Sequence, residues 1–319
     1  IEYGNEYSLT STDSIIQYPS LVVGSDKYVW NSSLPFNEWV DFDFSDIDLS
    51  GLTGQWLTTQ KIKEVSITDV GYSGIIASTD TDMEYIYIDT YDSNGLVLGN
   101  YAIQNLLSTG TYPAKYLSVI TAPMNLNNVT TGLTLGVQPI IDSSVAYYDV
   151  VIKDSVLATV SDVLRFNIVE PCGYTERRLH FQNKWGAFDA FNFNLVSKES
   201  VNIEKKSLKF NPNRVNASGQ MVYSVSDRTN INYHIKSTNQ IQLNADYITE
   251  EESIWLEELF TSPEIYLESK YNNGKEKRDL IAVSEIQSKK YQIKTDRVDN
   301  LFNIDLVITL SNDNYRQRR

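Results

Sequence analysis

A chain of 319 residues with 41% hydrophobic and 21% charged residues has the composition of an ordinary globular protein, and its length favours two domains. No stretch approaches the roughly 18 to 20 uninterrupted apolar residues that a membrane helix needs, so the chain is expected to be soluble. Cys172 is the single cysteine, which excludes an intramolecular disulfide and a cysteine-based zinc site. The net charge of −14 is uneven: residues 1–170 hold 6 Lys/Arg against 21 Asp/Glu, whereas residues 171–319 hold 21 against 20. So acidic a first half repels phosphates and anionic membrane surfaces, which argues against nucleic acid as a direct partner and against membrane insertion.

The chain opens at Ile1 with neither an initiator methionine nor a charged-then-apolar leader, as a processed or incomplete chain would. Residues 1–20 are polar with scattered tyrosines and no sustained period, which predicts an extended arm. Strand signals then dominate. In "WVDFDFSDIDLSG", Val40, Phe42 and Phe44 share one phase and Asp41 and Asp43 the other. "MEYIYIDTYDSNGLVLGNYAI" predicts a hairpin turning at Asn94-Gly95. "YLSVITAPMNL", "TTGLTLGVQPII", "VAYYDVVIKD" and "VLRFNIVE" follow at short spacing, the rhythm of a β-sandwich. Composition shifts near Glu170, which places a domain boundary there and gives an acidic β-sandwich domain over 21–170.

Residues 171–319 predict a second β-sandwich domain with one short helix and a basic C-terminal tail. Its first hairpin is "RRLHFQNKWGAFDAFNFN", in which Leu179 and Phe181 alternate with Arg178, His180 and Gln182. Such alternation predicts one apolar face and one wet face, and Gly186 supplies the backbone freedom of the turn. "SVNIEKKSLKFN", "QMVYSVSD", "INYHIKST" and "QIQLNADY" read as further short strands. "ITEEESIWLEELFTSP" predicts a helix with Thr249 as N-cap and Glu252 completing a capping box, and Ile254, Trp255, Leu259 and Phe260 can share its apolar face. A hairpin turning at Asn273-Gly274 and a terminal strand in "NLFNIDLVITL" complete the domain. The fold class is therefore all-β, with two β-sandwich-like domains.

Chemistry-bearing patterns are sparse. His180 and His234, the only histidines, fall on the wet phase of their strands and are expected to be exposed and inert. Asp41/Asp43 and Asp46/Asp48 have the spacing of a solvated strand face, without an opposing carboxylate of the kind glycoside hydrolysis needs. Asp80, Asp82 and Glu84 open like a calcium loop, but the glycine and flanking helices of an EF-hand are missing. There is no phosphate-binding glycine loop, so no cofactor, metal or catalytic residue is assigned. Three Asn-X-Ser/Thr sequons, at Asn31, Asn128 and Asn216, read as chance occurrences in the absence of a leader. The 21 tyrosines are the most unusual feature; Tyr85, Tyr87, Tyr91 and the Tyr147–Tyr148 pair are interface candidates, with strand propensity the plainer explanation.

"RLHFQNKWGAFDAFNFN", with "IQLNADYITEEESIWLEELFTSPEIYLE" through "LIAVSEIQSKKYQIKTDRVDNLFNIDLVITL", resembles the corresponding region of tail structural proteins of crAss-like bacteriophages. These are short-tailed viruses of Bacteroidetes-type bacteria, with tails built from stacked rings and a hub. The resemblance spans about residues 170–319 and rests on turns and strands. It implies a non-enzymatic virion protein, assembled in the host cytoplasm, whose partners are copies of itself in a ring and other phage tail proteins. On that reading Trp185, Gly186 and Phe188 shape the hairpin, Trp255 and Phe260 dock the helix, and Arg316, Arg318 and Arg319 reach a neighbour. The alternative is a carbohydrate-binding or receptor-binding module that stacks tyrosines on sugar rings. A glycan-degrading enzyme would require two converging carboxylates.

Overall fold

The computed structural model describes residues 54–77, 83–105, 115–170, 173–209, 215–222, 225, 227–269, 279–287 and 304–311. The expected arm at 1–20, the strand at 40–44, the pairs Asp41/Asp43 and Asp46/Asp48, Asp80 and Asp82, the Asn273-Gly274 turn and the tail with Arg316, Arg318 and Arg319 lie outside them. The described chain is all-β, in three sheets.

The first nine strands are β1 (Gly54–Trp56), β2 (Ile62–Val65), β3 (Tyr72–Ala77), β4 (Tyr85–Tyr91), β5 (Val97–Gln104), β6 (Lys115–Ile120), β7 (Leu133–Leu135), β8 (Tyr147–Lys153) and β9 (Leu164–Ile168). They form a three-stranded sheet, β1-β3-β6, and a six-stranded sheet, β2-β9-β8-β4-β5-β7. Alternation decides which face each strand buries. In β4, Ile88 and Thr90 are buried while Tyr87, Asp89 and Tyr91 stand on the opposite face. The core between the sheets includes Trp56, Ile75, Ile88, Leu126, Tyr148 and Leu164. The β4–β5 hairpin turns where the Asp92 carboxylate accepts from the backbone N–H groups of Asn94 and Leu96, each at 2.8 Å, and Gly95 takes a φ of 79°. The sequence predicts a strand over "YLSVITAPMNL". The strand instead ends at Ile120, and Pro123 begins the short helix α1 (Pro123–Asn127), a position where proline's missing N–H costs nothing.

The remaining strands are β10 (Arg177–Gln182), β11 (Phe188–Phe193), β12 (Lys198–Lys209), β13 (Asn230–Asn244), β14 (Ile265–Ser269), β15 (Asp279–Ile286) and β16 (Asp305–Leu310), with α2 (Glu250–Trp255) and α3 (Glu257–Thr261) between β13 and β14. Their order is β11-β10-β14-β15-β16-β13-β12. β15 joins two limbs of the sheet: residues 279–282 pair with β14, and Val283, Glu285 and Ile286 pair with β16 across a register shift between Val283 and Glu285. Both limbs feed a second core with Leu179, Phe181, Phe193, Leu243, Trp255 and Ile308. A small cluster of Leu57, Ile76 and Ala187, with Trp185 against it, joins the two halves.

Two short strands expected in "INYHIKST" and "QIQLNADY" are one continuous strand, β13. "QMVYSVSD" contributes only an isolated bridge, Val215 to Met221, among its described residues and their neighbours.

Candidate functional site

Two features are built from side chains whose placement the fold explains: a buried polar junction between the halves, and an exposed ribbon that projects from the second.

The junction begins with the β10–β11 hairpin. Its register pairs Leu179 with Phe191 and Phe181 with Asp189 on one face, and Arg178 with Asn192 and His180 with Ala190 on the other. Gly186 has a φ of 79°, and its N–H donates to the Asn183 carbonyl at 3.0 Å, closing the turn. β11 is the edge of its sheet, and the β2–β3 region of the first half lies along it. The second face is therefore not wet. Arg178, His180 and Gln182 are 4%, 8% and 7% exposed, which overturns the expectation that they, and His180 in particular, face solvent. Alternation identifies the face turned away from a strand's own apolar core; here Asp69 and Val70 of the first half meet that face at Arg178.

The covering groups are polar. Arg178 donates through Nη1 to Asp69 Oδ2 at 3.0 Å and to Asn192 Oδ1 at 2.5 Å, and through Nε to the Val70 carbonyl at 3.2 Å. His180 Nε2 lies 3.3 Å from Glu268 Oε2. Burial pushes the imidazole below its usual value, an effect that the Glu268 hydrogen bond opposes and Arg178 reinforces. At the other end of β11, Asp189 accepts from Lys63 Nζ at 2.5 Å, Thr58 Oγ1 at 2.9 Å, Asn183 Nδ2 at 3.0 Å and Trp255 Nε1 at 3.1 Å. Glu258 accepts from Thr59 Oγ1 at 2.6 Å and the Lys184 N–H at 3.2 Å; burial raises its pKa first, and Asp189 adds to the rise. Arg178, Asp189 and Glu258 hold one half on the other, whereas His180 and Glu268 pair within the second half. A substrate would have to part the junction to reach Asp189.

The sequence-assigned residues divide accordingly. Trp255 is buried, tilted against Phe181 at 5.6 Å between ring centroids and edge-on to Phe191 at 6.1 Å. Phe260 is half-buried against the same core. Trp185 packs at the junction with Lys184 over its ring, and Phe188 meets Tyr266 on the opposite face of the hairpin from Phe191. Ile254, placed on the helix's apolar face by sequence, is 50% exposed; Trp255, Leu256 and Leu259 form that face, and Ile254 lies about 100° around the helix from Trp255. Four of the five tyrosines offered as interface candidates make contacts within the chain. Tyr148 is fully buried, stacked on Phe166, and donates to the Thr121 carbonyl at 2.8 Å; Tyr91 stacks on Tyr147 at 4.7 Å, and Lys153 sits over Tyr87. Among the described residues, no group of three or more His, Cys, Asp or Glu side chains is arranged to hold a metal ion. A groove of about 430 Å³ beside α1 takes its polar lining from the amides of Asn125 and Asn128 and the hydroxyls of Thr130 and Thr131. No described helix is long and apolar enough to cross a membrane.

The ribbon consists of β12 and the first two thirds of β13. β13 pairs with β16 only from Gln240 to Asn244, so residues 230–239 have β12 as their one strand neighbour among the described residues. Ten residues of extended chain reach about 33 Å. β12 is exposed along its whole length, including Val201 at 58%, Ile203 at 55% and Leu208 at 59%. Tyr233 and Ile235 are exposed on β13. The phase is informative: Ile241 is buried in the core, and Ile235, Ile203 and Val201 continue its face outward along the ribbon. Near the far end Asn216 Oδ1 accepts from the N–H groups of Ser218 and Gln220, fixing a tight turn. The sequence divides this stretch into "INYHIKST" and "QIQLNADY" at Asn239, and so hides the ribbon. The absence of Gly or Pro anywhere in β13 was the available signal for continuity.

Comparison with protein-family models, with curated proteins and with solved structures gives no match.

Proposed function

We propose that this chain is a structural virion protein, a ring or hub subunit of a bacteriophage tail that self-associates about the tail axis and contacts adjoining tail components. The observation that carries the reading is the ribbon: Val201, Ile203 and Ile235 continue a buried face into solvent on a paired scaffold. Isolated two-stranded ribbons are marginal in water, and exposed apolar strand faces of this kind mark interaction surfaces. The buried junction supports the same reading, because a load-transmitting subunit needs its halves fixed, and Asp69–Arg178 and Lys63–Asp189 tie them at two points. The resemblance of residues 170–319 to crAss-like phage tail proteins supplies the biological setting, a virion assembled in the host cytoplasm.

The test is the particle mass in solution by light scattering, with negative-stain images of the same fraction. Closed rings, formed alone or with co-expressed tail proteins, are the expected outcome. A monomer indifferent to tail proteins would overturn the proposal. The exposed rings of Tyr233 and Tyr247 favour a second reading, carbohydrate or receptor binding. Saturable quenching of tryptophan fluorescence by a polysaccharide would support it.

A further inference from the structure

We infer that the β12–β13 ribbon of one copy docks along the open edge of β5 in a second copy, an inference that rests on the self-association proposed above. Each surface is left open by its own chain. β12 ends its sheet with its outer edge unpaired among the described residues. β5 is hydrogen-bonded to β4 on one side, but on the other β7 reaches only Ala102 and Ile103, so the backbone edge of 97–101 has no strand partner among the described residues. Strand edges of this kind carry a row of unpaired N–H and C=O groups and are completed by addition of another strand.

Side chains on the two surfaces match in chemistry. The β4–β5 hairpin, residues 83–105, carries Glu84, Asp89 and Asp92 and no Lys or Arg, a net of −3. β12 and β13 carry five Lys against two Glu, a net of +3, while the rest of the chain holds 22 Lys/Arg against 39 Asp/Glu. The ribbon is thus a basic element on an acidic protein, and its charge is complementary to another copy's acidic half. Apolar contacts match as well: Leu96, Val97 and Leu98 are exposed at the β5 edge, and Val201, Ile203 and Ile235 are exposed on the ribbon. Because the two surfaces differ, the contact is head-to-tail. Each docked copy still offers a free ribbon and a free edge, so association propagates until rotation closes it.

Two variants test this on the full chain. In the first, K205E with K206E reverses the charge of the ribbon; in the second, Leu96→Asp with Leu98→Asp spoils the edge. All four side chains are exposed, so near-ultraviolet circular dichroism should match the parent protein. Each variant alone is expected to sediment as a monomer, with self-association weakened at least about tenfold. Mixed together they should form a dimer and stop there, because the intact ribbon of the second finds the intact edge of the first. Assembly that survives both variants would overturn the ribbon-to-edge contact while leaving the tail-subunit reading in place. A parent chain that stays monomeric with and without tail proteins would overturn both. A parent ribbon that binds duplex DNA or anionic vesicles without self-association would also overturn the assignment of a second copy as its occupant.

Discussion

Asp189 is 2% exposed, and four donors converge on its carboxylate from β2, the loop after β1, the hairpin turn and α2. Removing one partner of a buried pair leaves the other desolvated and uncompensated. Asp189→Ala should therefore lower unfolding free energy by about 3 to 5 kcal/mol, read from urea titration, and the double variant K63M with Asp189→Leu should cost less than the two single changes summed. His180 gives a prediction of a different kind. Its folded pKa lies below the ordinary value of 6.5 because burial disfavours the imidazolium, with Arg178 acting in the same direction and Glu268 and Asp69 against it. The unfolded chain then binds a proton that the folded one refuses, so stability is full above the unfolded value and falls as pH drops through it. Glu64 and Glu258, raised by burial, act oppositely at lower pH, since folding favours their protonated forms. The comparison that isolates His180 is parent against H180Q: the decline in melting temperature from about pH 7.5 to about pH 5.5 should be shallower in the variant. None of this was legible in sequence. Alternation correctly separates Leu179 and Phe181 from Arg178 and His180, but it cannot report that Asp69 and Val70 lie against Arg178 or that Glu268 meets His180.

At the level of elements, sequence was most informative where local chemistry decides the outcome. The N-terminus of α2 forms the capping box that its sequence predicts: the Glu252 N–H donates to Thr249 Oγ1 at 3.2 Å, and Glu252 Oε2 accepts from the Thr249 N–H at 2.8 Å. Thr249→Ala should cost about 1 kcal/mol. Trp255, three residues further into the helix than Glu252, should cost about 3 to 5 kcal/mol when changed to alanine, because the loss there is a packed ring and a hydrogen bond to Asp189. Equal losses from the two changes in a thermal-melt series would contradict this hierarchy. The hairpin turns at Gly95 and Gly186 were legible for the same reason, since a left-handed φ is a local demand. The ribbon was not. Val201, Ile203 and Ile235 have the alternation of a half-buried strand, and sequence pattern does not distinguish a face covered by its own core from one that awaits another chain. Likewise Ile120 and Pro123 lie three residues apart, and which of them belongs to a strand was settled by the partner strand β3 and by α1.

For the whole molecule, the issue is whether the two cores behave as one. Sequence placed the change of composition near Glu170, and the two hydrophobic clusters fall on either side of it, but the strength of their coupling depends on pairs more than a hundred residues apart. Arg178 is the central tie: its guanidinium joins Asp69 and the Val70 carbonyl of one half to Asn192 of the other, and it also faces Glu268 at 3.9 Å. A junction of polar groups is highly sensitive to the loss of any member, since each remaining donor or acceptor stays buried without its partner. The small apolar bridge of Leu57, Ile76 and Ala187 offers little area to compensate. The parent chain should accordingly unfold in a single calorimetric transition. R178M, which keeps the length of the side chain and removes its charge and donors, should split that transition in two. If R178M lowered the midpoint and left one symmetric peak whose calorimetric and van't Hoff enthalpies agreed, the coupling would reside in the apolar bridge and the β11 edge contact, and the ion network would matter only for local stability.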